Sequence, residues 1–176
     1  KSDFEITESY AEFFGEMINV AITTFYLDDS TSIYMYIKNA HYLLFYEQLF
    51  SMFQCVKILY KIGLGYENLY LQDDLSKSLR NNIYYRENTN VFCYYVVKNI
   101  LLFNCDDFVG FCYDKNLQFL DFRKTDTTLN FFYDFVKSRY NDKKLLNVIH
   151  KTEKNINNIS NNLLKRNIKN INIFQF

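Results

Sequence analysis

The 176 residues contain no proline, no tryptophan and only four glycines. With so few helix breakers and turn formers, a turn-rich sandwich or barrel is excluded and the chain reads as helical. There are only two histidines, His41 and His150, in separate segments with no acid at helical spacing. Each reads as a surface or half-buried residue, not as a base or a ligand. The four cysteines (Cys55, Cys93, Cys105, Cys112) lie inside apolar runs without close pairs. That pattern argues against a disulfide framework or a zinc site and points to a reducing compartment. An apolar setting also raises a thiol's pKa, so inert packing is expected of them. Gly63-Leu64-Gly65 is too short to be a phosphate loop. No catalytic residue, cofactor or metal is therefore expected.

Long uncharged runs are missing too. A spanning helix needs roughly 20 mostly apolar residues. Val91–Tyr113 has that length, but Lys98, Asp106 and Asp107 interrupt it. Each charge at the bilayer centre costs about 2.5–3.5 kcal/mol, so no free span is expected. Met17–Leu27 carries no charge and is too short to cross. Nothing in the sequence reads as a signal peptide.

What is abundant is aromatic and asymmetrically charged. There are 18 Phe and 16 Tyr, and the net charge is zero. Phe, Tyr, Asn, Ile and Lys all have AT-rich codons, which accounts for part of that load. The first 29 residues carry seven acids against Lys1, whereas residues 137–170 carry nine bases against Asp142 and Glu153. Such a split suits an acidic head packed on a basic tail, or a tail resting on an anionic membrane. Nucleic acid is not expected as a partner, because the bases are scattered and the protein is neutral.

The periodicities predict an all-α bundle of about five to six amphipathic helices and no β-sheet. Ser2 and Glu5 form a capping-box pattern ahead of Tyr10, Phe13, Phe14, Met17, Ile18, Ala21 and Phe25 at helical spacing. Asp28–Ser32 reads as a turn and a new N-cap. A second helix is expected from Ile33 to Gly63, with a break near His41 and a left-handed cap at Gly63. A short polar helix is expected over Glu67–Leu79, a loop over Arg80–Asn90, and a long apolar helix over Val91–Tyr113. Asp126 is expected to cap a further helix. The tail from Lys143 is expected to be helical, with Ile149, Ile156 and Leu163 on a seven-residue beat. Two regions are distinguished: a helical domain over 1–150, and a polar basic tail over 151–176.

Two blocks carry a family likeness. The first is Lys57-Ile58-Leu59-Tyr60-Lys61-Ile62-Gly63; the second is Phe103-Asn104-Cys105-Asp106-Asp107-Phe108-Val109, at the end of an apolar run. Further on come Phe131-Phe132-Tyr133 and Ser138-Arg139. In their order and spacing these segments resemble the peroxin-eleven family, helical proteins that elongate and divide peroxisomes. The chain departs from that pattern at Ile58, Asn104 and Asp107. Glu12 and Glu16 replace the family's basic patch, and a polar tail stands in place of its apolar anchor.

The resemblance implies a non-enzymatic protein on the cytosolic face of an organelle membrane, peroxisome-like. It implies shaping of that membrane by an inserting helix and by self-association. The contact residues expected are Phe50, Phe53, Leu59 and Tyr60 in the lipid interface, with Lys57 and Lys61 on phosphates. Lys143, Lys144, Lys165 and Arg166 form the expected basic lipid-facing tail. The expected partners are an anionic membrane surface and either a homo-oligomer or another protein. The same Phe45–Lys61 stretch also reads as a buried bundle helix. The function alternative is a cytoplasmic helical interaction subunit or inhibitor in a larger complex. Asp106 and Asp107 project about 100° apart on a helix, so a cap or turn suits them better than acid–base or metal chemistry.

Overall fold

A computed structural model describes residues 6–27, 32–81, 92–116 and 120–158, without the side chains of Phe92 and Cys93. Seven α-helices occur in the described residues, with no strand: α1 (Ile6–Leu27), α2 (Ile33–Ile62), α3 (Asp74–Asn81), α4 (Lys98–Phe103), α5 (Cys105–Lys115), α6 (Asp126–Arg139) and α7 (Lys143–Asn158). A 3-10 turn covers Tyr66–Leu69 and a π-helical turn, Phe92–Val97, leads into α4. The all-α bundle expected from composition is the observed architecture.

Local chemistry sets most boundaries. Gly63 ends α2 with φ 79°, its N–H donating to the Tyr60 carbonyl at 3.2 Å. The Leu64 N–H donates to the Leu59 carbonyl at 2.9 Å, completing a Schellman cap with both leucines buried. Asp73 accepts from the Ser76 N–H at 2.8 Å and so opens α3. Asn104 ends α4 and starts α5: its side chain donates to the Ile100 carbonyl at 2.8 Å, and its own carbonyl accepts from Phe108 at 2.9 Å. Thr125 and Thr128 exchange backbone and side-chain hydrogen bonds at the start of α6. Asp142 accepts from the Lys144 and Leu145 N–H groups at the start of α7.

Several expected boundaries are corrected. α2 runs unbroken past His41, because nothing there removes a backbone donor. Glu67–Leu79 is a 3-10 turn followed by α3. Val91–Tyr113 is divided at Asn104, whose backbone (φ −108°, ψ 40°) leaves the helical region, and α5 extends to Lys115. The N-cap of α6 is Thr125, with Asp126 as the first helical residue. Ser32 holds the N-cap position of α2, but its hydroxyl makes no capping bond. The tail is helical from Lys143, as expected, through Asn158. The expectations for Ser2–Glu5, Asp28–Thr31 and Leu163 lie outside the described residues.

Two apolar clusters share α4. One joins the inner half of α2 (Met52, Cys55, Val56, Leu59) to Ile100 and to Leu145, Ile149 and Ile156 of α7. The other joins Tyr10, Phe13 and Phe14 of α1 to Leu101, Leu102, Phe108, Cys112 and Phe132. Phe108 is its hub: the Phe13 ring meets it edge-on at 4.9 Å and the Phe132 ring stacks at 5.6 Å. Lys98, at the start of α4, pairs with Glu16 at 2.9 Å and Glu12 at 3.8 Å, fastening α1 to this centre.

A candidate interaction surface on the α1–α2 hairpin

The outer ends of α1 and α2 lie antiparallel beyond both clusters. Val20 and Thr24 of α1 are buried there, and the Tyr36 hydroxyl donates to the Ala21 carbonyl at 3.0 Å. Between Ile33 and Phe50 no residue of α2 is fully buried, whereas Ser51–Leu59 is buried at every position except Phe53. One helix is therefore half projection and half core.

The projecting half is apolar on its free side. Tyr34, Met35, Ile37, Tyr42, Phe45, Tyr46, Leu49 and Phe50 of α2 are exposed, as are Ile18, Ile22, Phe25, Tyr26 and Leu27 of α1. Tyr26 retains 78 % of its surface and Phe45 53 %. Charge is sparse: α1 has none from Met17 to Leu27, and α2 has only Lys38 and Glu47 between Ile33 and Phe53. Glu47 turns inward, where burial, then the Glu16 charge, pushes its carboxyl above the ordinary range while Lys98 opposes the rise. A groove of about 690 Å³ runs along α2 beside Tyr34, Lys38, Tyr42 and Phe45. Contiguous exposed apolar surface of this kind marks a site of association.

The contact residues expected from the sequence divide. Phe50 and Phe53 are exposed, at 51 % and 36 %, and Lys61 is also exposed. Lys57 and Leu59 are corrected: they are buried, at 5 % and 1 %, and Tyr60 is half-buried against the α2–α7 cluster. Leu59 faces inward because α7 and the Gly63 cap close over this end of α2. Burial, then the neighbouring Lys61 charge, lowers the Lys57 pKa. Lys143 and Lys144 are exposed at the start of α7; Lys165 and Arg166 lie outside the described residues.

The exposed hairpin residues from Tyr34 to Tyr42 lie outside the Phe45–Lys61 stretch expected to make contact. Their signal was present as the 3-4-3-4 spacing of Met35, Lys38, Tyr42, Phe45 and Leu49, but such spacing equally describes a core-facing stripe.

A second, polar feature lies between α2, the α4–α5 junction and the α6–α7 turn. His41, Gln48, Asp106, Asp107, Arg139 and Lys144 line a cleft of about 530 Å³. Arg139 Nη2 pairs with Asp107 at 2.8 Å, its guanidinium lies over the Phe135 ring, and its buried Nε has no partner. Asp106 and Asp107 occupy the first turn of α5, favourable for acids. Asn104 makes the turn expected beside them. His150 of α7 lies 3.1 Å from Glu67 of the 3-10 turn. Cys55, Cys105 and Cys112 are free and buried. Burial pushes the Cys105 thiol up to about 11 and the Cys112 thiol up to about 12, and it raises Cys55 further. Among the described residues no cluster of His, Cys, Asp and Glu could hold a metal, and no helix is long and apolar enough to cross a membrane.

No family model matches the chain, and no curated protein and no solved structure matches it.

Proposed function

We propose that the chain works without catalysis, as a helical interaction protein whose α1–α2 hairpin is covered by what it binds. One observation carries this reading: each hairpin helix exposes a charge-poor aromatic and aliphatic face while the same helices bury a separate core. A folded protein does not leave such a patch in water without cost. The regular spacing of the outward residues on α2 suits a helical partner.

Attachment to a membrane, as the peroxin-eleven likeness implies, is the second reading. The uncharged Met17–Leu27 segment with exposed Phe25, Tyr26 and Leu27 favours it. In that reading the hairpin is the inserting part, since Lys57 and Leu59 are buried. An organelle-shaping role on a cytosolic membrane face rests on this second reading.

The test compares the full-length protein with a Tyr42→Ser, Phe45→Ser, Leu49→Ser variant by fractionating cells. The wild type is expected in a large assembly or with membranes, and the variant is expected to shift to the size of a free chain. A wild type that already fractionates as a free 21.3 kDa chain would overturn the proposal.

A further inference from the structure

At the end of α2 opposite the hairpin, a pocket of about 370 Å³ opens between the Gly63 cap and the last turns of α7. Val56, Leu64 and Ile156 form its apolar wall. The half-buried Tyr60 stands beside them, and Glu153 and Asn157 supply polar groups.

Glu153 is the one acid after Asp142, in a stretch that carries Lys143, Lys144, Lys151 and Lys154. Yet no cation holds it among the described residues. The bond its side chain makes comes from the Tyr66 N–H, which donates to Oε1 at 2.9 Å. Lys151 and Lys154 are exposed, and His150 turns to Glu67 instead. The Glu153 charge is felt inward: burial first, and then this carboxylate, raise the Cys55 thiol. The C-terminal end of α2 adds partial negative charge of its own, from its aligned peptide dipoles. Lys61, the base in that last turn, is exposed and does not line the pocket. A half-buried carboxylate beside a helix C-terminus, between apolar walls and without a counter-charge, is relieved by an incoming cation.

We infer that this pocket binds a primary ammonium on an unbranched hydrocarbon stem, the chemistry of a lysine side chain or a free polyamine. The apolar wall takes the stem, Glu153 takes the charged head, and the Tyr60 ring adds its attraction for a cation. An ammonium suits the site better than a guanidinium does. A guanidinium uses both carboxylate oxygens for its parallel pair of bonds, and Tyr66 already engages Oε1. A compact point charge needs only the other oxygen. The pocket shares no residue with the hairpin surface, so it stands or falls apart from the proposed function.

The test is a titration of the isotopically labelled full-length chain with n-butylamine hydrochloride at fixed pH and ionic strength. It is read by nuclear magnetic resonance at the Gly63, Leu64, Gly65 and Tyr66 amides. Saturable shifts are expected there, with weaker binding of n-butylguanidinium and none of n-butanol. Glu153→Gln keeps an acceptor for the Tyr66 N–H and loses the charge, so binding is expected to weaken by roughly tenfold or more. Should that variant disturb the fold, Asn157→Lys repeats the measurement. At an exposed position one turn beyond Glu153, it sets a resident ammonium beside the carboxylate and is expected to exclude n-butylamine. Titrations with Nα-acetyl-lysine amide and with spermidine distinguish the source: the tighter binder marks a partner's lysine or a free polyamine. Shifts no larger than those produced by sodium chloride would overturn the inference. So would shifts that persist undiminished in both Glu153→Gln and Asn157→Lys.

Discussion

The Tyr36 hydroxyl reaches across the outer hairpin to the Ala21 carbonyl, 3.0 Å away. It ties α1 to α2 where neither helix has a core beneath it. An exposed bond of this kind stabilises by roughly 0.5–1 kcal/mol. Tyr36→Phe is therefore expected to speed amide hydrogen exchange severalfold in residues 18–27, with little change in the global unfolding midpoint. Unchanged exchange there would mean that Val20 and Thr24 hold the hairpin unaided.

Core and surface aromatics are expected to respond oppositely. Phe108→Ala removes the hub of the α1–α5–α6 cluster and is expected to cost about 3–5 kcal/mol in denaturant unfolding. Phe45→Ala is expected to stay within about 0.5 kcal/mol of wild type, because its ring is exposed, while association is weakened.

Gly63→Ala tests the cap of α2. A Cβ there meets nothing within 4 Å, so the whole cost is backbone strain at φ 79°. About 1–2 kcal/mol is expected, read as a shifted urea midpoint at unchanged slope.

Glu47 makes stability depend on pH. Its carboxyl is raised in the folded protein, so the folded state holds the proton more tightly than the unfolded chain does. Stability from this group is present at acid pH and falls as pH rises from the ordinary carboxylate range to the raised folded value. Glu47→Gln is expected to be more stable than wild type at neutral pH, the difference vanishing below that range. Unfolding curves at several pH values check the sign.

The raised thiols predict slow chemistry. Cys55, Cys105 and Cys112 are expected to resist alkylation at pH 8 in the folded state and to react at once in guanidinium chloride. Mass mapping of the labelled cysteines reads this directly.

Much of the fold was legible because its signals are local. Missing proline, the Gly63 cap and the Tyr10, Phe13, Phe14 spacing each act within a turn or two of helix. The division at Asn104 was half legible: a turn beside Asp106 was expected, but its reach into the long apolar helix depends on a side chain folding back onto Ile100. Which half of α2 is covered was not legible at all. Phe45 and Leu59 are equally apolar on paper, and the difference between them is the arrival of α7, nearly a hundred residues further along the chain. Lys57 misled for the same reason, since a basic residue beside aromatics reads as surface until another element closes over it.

Asn104 lets a short central helix stop and restart without a loop, but α2 has no such joint. Its 30 residues make a stiff rod about 45 Å long. The rod is clamped at one end by α7 and at the other carries only α1 among the described helices, tied to it by Tyr36. Whatever grips that outer end therefore works a lever, and a tug there arrives as torque on the packing of α2 with α7.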